Sequence, residues 1–124
     1  MKLPACIVVA TAITLAVPCD AQDTTRQGYS YITGARLSGP CTSGGQRDSG
    51  LCLGYILGIA DAMQAAQASG GALFGWRACV SPEIRPEQLL DVAVRFLAAH
   101  PAYAQFSASG LVANALSDAF PCHS

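Results

Sequence analysis

Residues 52–62 read CLGYILGIADA, and this stretch decides the fold. It contains one charged residue, Asp61, and two glycines four residues apart, Gly54 and Gly58. A soluble helix normally carries a polar face and avoids glycine, which costs about 1 kcal/mol against alanine in a helix interior. The stretch therefore predicts a central helix that packs against other helices on most of its surface.

The predicted central helix runs from Cys52 to about Ala68 and ends at the glycines of Ser69-Gly70-Gly71. Small residues recur every four positions along it and form a strip where a neighbouring backbone could approach closely. We therefore expect a leucine in place of either glycine to overpack a helix contact and to destabilise the fold by a few kcal/mol. The strip consists of Gly54, Gly58 and Ala62.

Three further segments have helical character. Residues 29–37 predict a short helix, and the serine- and glycine-rich stretch 38–50 predicts a loop. A long helix begins at Pro86, and a last one begins near Ser107 and stops at Pro121. No segment alternates like a strand, so we predict an all-α bundle of three to four helices tied by disulfides.

The N-terminus has the layout of a signal peptide. Lys2 precedes an apolar run over residues 7–17, and Pro18-Cys19-Asp20-Ala21 follows it. This run is shorter than the roughly 20 residues of a membrane span. We expect cleavage after Ala21, giving a single domain over residues 22–124, with a lipid anchor on Cys19 as the alternative.

Four of the six cysteines remain after that cleavage, namely Cys41, Cys52, Cys79 and Cys122. An even number in a short exported chain predicts a disulfide framework, and the absence of a CxxC motif makes a zinc or redox site improbable. Three pairings are possible. A helix from Cys52 to Ala68 spans about 25 Å, which the next ten residues can retrace, so we prefer Cys52–Cys79 with Cys41–Cys122.

Groups for catalysis are scarce. The sequence has no GxSxG or HExxH motif and no paired histidine and cysteine spacing, so we expect no enzyme activity, no metal and no cofactor. The position of His100 at the end of a helix suits a structural role. A net charge of −1 without a basic patch argues against nucleic acid as a partner.

Two places in the sequence are candidates for partner binding. The loop 69–78 places Phe74, Trp76 and Arg77 between glycines, and these residue types are enriched at binding hot spots. Alternatively, the aromatic rings cover the core. Asp61 either contacts a partner or lies in a buried network or at the helix surface, since a buried carboxylate needs a partner.

Several short motifs occur in order between residues 41 and 122. They are Cys52-x-Gly54-Tyr55-Ile56-x-Gly58-x-x-Asp61, Cys79-x-x-Pro82, Gln88-Leu89, Phe96-Leu97-x-x-His100-Pro101, Ala108, Leu111-Val112, Ala115-Leu116 and Phe120-Pro121-Cys122. Together with a signal peptide and four cysteines, this pattern resembles the Rap/Tai family of periplasmic immunity proteins.

The resemblance implies a small helical periplasmic protein, often a homodimer. It also implies an inhibitor that binds a peptidoglycan amidase effector of a type VI secretion system and blocks its active site. A periplasmic helical chaperone or ligand-binding module is the alternative, and a hydrolase is a distant third. Suppression of aggregation of many clients would indicate the chaperone, whereas protection against one toxin would indicate the immunity protein.

Overall fold

A computed structural model describes residues 30–123, so the expected signal peptide over residues 1–21 lies outside the described residues. The predicted all-α fold class is confirmed, because four helices pack together in the described part of the chain. A single 3₁₀ turn, Pro101–Tyr103, separates the last two helices. The helices are α1 (Gly34–Thr42), α2 (Gln46–Ala68), α3 (Pro86–Ala99) and α4 (Ala108–Ala119).

Each helix contributes to one apolar core. α2 contributes a stripe at spacings of three and four residues, which is the periodicity of one helix face. α4 is the most deeply buried helix, and six of its residues are inaccessible to solvent. The buried cluster consists of Leu37, Cys52, Ile56, Ala60, Met63, Ala78, Leu89, Ala93, Ala108, Val112, Ala113 and Leu116.

The first two helices differ from the sequence prediction of a helix over 29–37 and a loop over 38–50. α1 begins at Gly34 and continues through Pro40, because burial of Leu37 and the Cys41–Cys52 disulfide hold this short helix against α2. α2 begins at Gln46 rather than Cys52. Its first turn contains Asp48, which suits the positive end of the helix dipole and accepts a hydrogen bond from Ser43 Oγ (2.8 Å).

The later helices agree with the sequence prediction. α3 begins at Pro86, and Ser107 is the N-cap residue of α4. α2 ends at its predicted glycine stop in a Schellman arrangement, in which the amides of Gly70 and Gly71 donate to the carbonyls of Gln67 and Ala66. Gly70 adopts φ +79°, which a residue with a side chain rarely does.

The glycine strip on α2 does not face a neighbouring helix, so the expected close contact was placed wrongly. Gly54 and Gly58 are exposed, and a Cβ atom built on either one would meet nothing within 4 Å. The bundle is too small to surround α2, so one stripe is buried while Leu51 on the opposite side lies in solvent.

α2 is long and apolar enough to cross a membrane, with a mean hydropathy of 1.2 over its best window. A core helix of a soluble bundle meets the same criterion. Ile56 and Met63 of α2 are completely buried, so one stripe of this helix belongs to the core while most of its surface does not.

The close backbone approach occurs at Gly34, the first residue of α1. A Cβ atom there would lie 2.6 Å from Leu111 Cδ1 and 3.3 Å from the Ala104 carbonyl oxygen. The Gly34 amide donates to the Phe106 carbonyl (2.9 Å), and the Ala108 amide donates to the Ile32 carbonyl (2.9 Å). The start of α1 is thereby joined to the start of α4.

All four described cysteines are in disulfides, but the preferred pairing is wrong. The bonds are Cys41–Cys52 and Cys79–Cys122. The chain after α2 does not return along the whole helix, because the side-chain amides of Gln64 and Gln67 both donate to the Ala78 carbonyl near the end of α2 (3.1 and 2.9 Å). The Cys79 amide donates to the Phe120 carbonyl (2.8 Å), which brings Cys79 beside the C-terminus instead.

The disulfide assignment predicts that the mature protein contains no free thiol under denaturing, non-reducing conditions. Peptide mapping should recover Cys41 linked to Cys52 and Cys79 linked to Cys122. A mild reductant should open the second bond first, because Cys79 is exposed while Cys52 is buried. Cross-linked peptides joining Cys52 to Cys79 would contradict the structure.

The glycine environments predict opposite effects of alanine. Gly54→Ala and Gly58→Ala should each raise the free energy of unfolding by about 0.5–1 kcal/mol, because helix propensity improves and the site is open. Gly34→Ala should lower it by about 1–3 kcal/mol, because the new methyl group overlaps Leu111. Urea unfolding of the three variants measures these changes in the free energy of unfolding. Destabilisation by Gly58→Ala would mean that another surface covers the side of α2 on which Gly58 lies.

Candidate functional site

A tight hairpin turn projects from the loop after α2. The backbone amides of Leu73 and Trp76 each donate to the other's carbonyl oxygen (3.0 and 2.8 Å). Phe74 and Gly75 between them adopt φ values of +52° and +84°, the signs of a type I′ turn. Leu73 packs on the core, whereas Phe74 at the tip is 62% exposed. The hairpin therefore presents a phenylalanine ring to solvent.

The backbone at Phe74 is strained. A bulky residue in the left-handed region costs about 1–2 kcal/mol, and the type I′ turn strongly favours asparagine or aspartate before glycine. Phe74 is the one non-glycine residue with positive φ in the described part of the chain. Strain of this kind is concentrated at binding and catalytic sites, so this turn is a candidate for function.

A second set of aromatic side chains follows α3. The ring of His100 lies 4.1 Å from that of Phe96 and stacks on Tyr103 at 5.3 Å, and Phe106 lies 5.9 Å from Tyr103. His100 Nδ1 donates to the Phe96 carbonyl oxygen (2.8 Å), which fixes the His100 ring at the C-terminus of α3. The series ends with Tyr103 and Phe106 partly exposed.

Two adjoining cavities bring these elements together. The larger, of about 820 Å³, is lined by Trp76, Tyr103 and Phe106, and the smaller, of about 590 Å³, is lined by Tyr31, Tyr55 and Phe74. Ser30, Ser107 and Gly110 line both. We call this continuous surface the aromatic groove. Its full lining is Ser30, Tyr31, Ile32, Thr33, Tyr55, Phe74, Trp76, Tyr103, Gln105, Phe106, Ser107, Ser109, Gly110, Leu111 and Asn114.

Serine hydroxyls connect the two cavities. Ser30 Oγ donates to the Ile32 carbonyl (2.8 Å) and lies within hydrogen-bond distance of Ser107 Oγ (3.2 Å), and Ser107 Oγ shares a hydrogen bond with Ser109 Oγ (2.7 Å). Tyr55 bonds to Ser109 as well. Burial raises the pKa of Tyr55, and its hydrogen bonds with Ser109 partly offset this rise. The phenol therefore stays neutral at physiological pH and acts in a fixed polar network.

The structure brings together two of the four residues for which partner binding was predicted. Phe74 and Trp76 line the aromatic groove, one in each cavity. Arg77 is exposed and next in sequence to Trp76, but it lines neither cavity. Asp61 lies on the exposed side of α2, in agreement with the helix-surface position among its three alternatives, and it lies outside the groove.

Sequence reasoning missed Tyr31, Tyr103 and Phe106. The signal for the last two is the segment PAYAQF over 101–106, which puts two aromatic residues three positions apart just after a helix ends. Their proximity to the hairpin is a product of the fold, because residues 74 and 103 are distant in the chain. Tyr31 gives no comparable signal.

Nothing in the described residues 30–123 resembles a metal centre. No group of three or more histidine, cysteine, aspartate or glutamate side chains could hold an ion there. The one ion pair in this part of the chain joins Arg95 to Asp91 on the exposed side of α3. The groove is thus suited to binding through aromatic and hydroxyl groups.

Comparison with protein families identifies the chain. The family model of the Rap1a immunity proteins matches residues 33–122, so the chain belongs to this family, and its resemblance to the Rap/Tai proteins is confirmed. An immunity protein is not an enzyme, in agreement with the expectation from the sequence. Among curated proteins, none matches this sequence.

The strained turn predicts that Phe74→Asn stabilises the fold. Asn-Gly is the preferred pair of a type I′ turn, so we expect a gain of about 0.5–1 kcal/mol and a Tm higher by about 2–6 °C. Thermal unfolding followed by circular dichroism measures this change.

Phe74→Ala is the matched control. It removes the same exposed ring, but alanine disfavours the left-handed region almost as much as phenylalanine does. Its stability should therefore be close to that of the wild type. Equal stability of the asparagine and alanine variants would show that the positive φ at position 74 carries no strain.

Proposed function

We propose that this member of the Rap1a immunity protein family is exported to the periplasm, where it binds and inhibits a peptidoglycan amidase effector of a type VI secretion system. The family supports the immunity role, and the two disulfides are consistent with an oxidising compartment. The N-terminal pattern supports cleavage after Ala21.

The single observation that carries the proposal is the exposed aromatic surface of the groove. Tyr31, Phe74, Trp76, Tyr103 and Phe106 are between 37% and 79% exposed, although aromatic side chains normally contribute to a core. Serine, glycine and asparagine separate them. This combination of rigid aromatic rings with small polar groups is the composition of protein-binding paratopes, and Trp and Tyr dominate binding hot spots.

The hairpin has the geometry of an inhibitory element. Its base is fixed by Leu73 on the core, by the bonds from Gln64 and Gln67 to the Ala78 carbonyl, and by the Cys79–Cys122 disulfide. A tip held this firmly loses little conformational entropy when it binds. The strain at Phe74 is explained if the ring is placed for a partner at some cost to stability.

The resemblance to the family also implies a homodimer, which we include in the proposal. Sedimentation velocity of the purified mature protein over a range of concentrations tests it. A monomer at all concentrations would remove the dimer from the proposal and leave the inhibitory role in place.

The inhibitory role predicts that variants of the hairpin lose inhibition while they stay folded. The purified mature protein is mixed with a peptidoglycan amidase effector of a type VI secretion system from the same bacterium, and release of soluble fragments from peptidoglycan sacculi is measured. Wild type should inhibit stoichiometrically. Phe74→Asn, Trp76→Ala and Arg77→Ala should weaken inhibition, at least one of them by about 30-fold, which corresponds to about 2 kcal/mol.

Matched variants control for general damage. Arg95→Ala removes an exposed arginine from α3, and Leu51→Ala removes an exposed apolar side chain from α2, so both should inhibit like wild type. Asp61→Asn tests whether the contact with the effector extends to α2. Normal inhibition by every hairpin variant would contradict the proposed surface. Suppression of the aggregation of unrelated clients without inhibition of the amidase would indicate the chaperone instead.

A further inference from the structure

The aromatic groove is uncharged throughout. None of the residues that line its two cavities is an acid, an arginine, a lysine or a histidine. The charged side chains of the described chain lie elsewhere, as with Asp48 at the start of α2 and the pair of Asp91 and Arg95 on α3. Arg36 approaches the edge of the groove but directs its Nη1 to the Tyr31 carbonyl oxygen (3.5 Å).

This absence of charge selects against charged ligands. A carboxylate or ammonium group that entered the groove would lose water without gaining an opposite charge, and burial of an unpaired charge is strongly unfavourable. An apolar side chain or an uncharged amide has no such penalty and gains contact with the exposed rings. Specificity for an uncharged ligand therefore follows from the lining itself.

Three serine hydroxyls of the groove are already hydrogen-bonded, to one another or to the backbone. The hydroxyls of Ser30, Ser107 and Ser109 are hydrogen-bonded, and no buried side-chain nitrogen or oxygen in the described residues lacks a partner. A ligand that covers this network leaves no donor or acceptor unsatisfied by doing so. This serine network requires no counter-charge and can be covered by an apolar surface.

The two cavities define the size of the ligand. Volumes of about 820 and 590 Å³ each lie within the range of about 300–1,000 Å³ that is typical of ligand pockets. The hairpin contributes Phe74 to the smaller cavity and Trp76 to the larger one, so a ligand that fills both contacts both sides of the hairpin. A folded loop with at least two apolar side chains satisfies this geometry.

We infer, resting on the proposed function, that the aromatic groove receives an uncharged apolar loop of the amidase effector, with one side chain entering each cavity. Arg77 remains outside the groove and acts on the rate of association. In this arrangement Phe74 and Trp76 are anchors that determine how long the complex lasts, because packed central contacts control dissociation while peripheral charges control encounter.

Opposite charges at one position test the inference. Gln105 is exposed and lines the larger cavity, so Gln105→Glu and Gln105→Lys introduce either sign of charge there. An uncharged loop predicts that both variants bind the amidase about tenfold more weakly, mainly through faster dissociation. Tighter binding by the glutamate variant would mean a cationic ligand, and tighter binding by the lysine variant an anionic one; either result overturns the inference.

Gln46→Glu and Gln46→Lys are the matched controls. Gln46 is the first residue of α2, exposed and outside the groove, so both variants should bind like wild type. In the same kinetic assay Arg77→Ala should slow association and leave dissociation nearly unchanged, whereas Phe74→Asn should speed dissociation. A loss through dissociation alone in Arg77→Ala would place Arg77 inside the contact and contradict the inference.

Trp76 reports directly on what occupies the groove, because it is the single tryptophan of the chain. Protein labelled with 5-fluorotryptophan gives one fluorine resonance, which should shift on addition of the amidase and stay unchanged with neutral oligomers of N-acetylglucosamine. A shift with the oligomers alone would assign the groove to a glycan. A shift of the resonance on deletion of residues 22–29 would show that the chain's own N-terminal segment occupies the groove. A shift that depends on protein concentration would show that a second copy of the protein occupies it.

The outcomes separate this inference from the proposed function. If wild type does not inhibit the amidase, the proposed function fails, and the inference fails with it. If wild type inhibits but a charge at Gln105 strengthens binding, or Trp76 does not respond to the amidase, inhibition stands and the uncharged loop is rejected.

Discussion

The close approach of Gly34 to α4 is the contact on which the aromatic groove depends. With no side chain at this position, the first turn of α1 lies against Leu111 and the Ala104 carbonyl. The backbone bonds on either side then join residues 32–34 to residues 106–108. These bonds place Ser30 and Tyr31 beside the start of α4. Both residues therefore line the aromatic groove. A methyl group at Gly34 would displace the Leu111 side chain, which lines the larger cavity, and would thereby alter the groove.

The hairpin is held at the same surface by a different set of interactions. Two glutamine side chains of α2 bind the Ala78 carbonyl, and the Cys79–Cys122 disulfide ties the following residue to the C-terminus. In the chain-entropy model a bond that closes 43 residues contributes about 4 kcal/mol, and the 11-residue Cys41–Cys52 loop about 3 kcal/mol. The disulfides thus supply stability that a small core does not, and they allow a strained residue at the tip.

At Phe74 the preference of the backbone and the identity of the side chain are opposed. The backbone of the turn favours asparagine, while the groove has an exposed phenylalanine ring in its smaller cavity. Phe74→Asn relieves the backbone strain and removes the ring at the same time. Its effects on stability and on inhibition can therefore be measured on one variant.

The sequence by itself determined the features that depend on neighbouring residues or on a whole pattern. Pro86, Ser107 and the glycines after Ala68 mark helix ends because capping is local chemistry, and the order of short motifs identifies the family. The hot-spot composition of the loop after α2 also indicated Phe74 and Trp76 as exposed candidates. The helix ends required only the chain within a few residues, whereas the family required the order of the motifs along the chain.

Only the tertiary structure decided which surfaces and which cysteines meet. Gly54 and Gly58 have the spacing of a packing strip, yet the close contact is at Gly34, because the small bundle covers α2 on one side only. Cys79 pairs with Cys122 because Gln64 and Gln67 hold the chain near the end of α2. Tyr103 and Phe106 join the hairpin in one groove through contacts between distant segments, and the chain's local preferences do not encode such contacts.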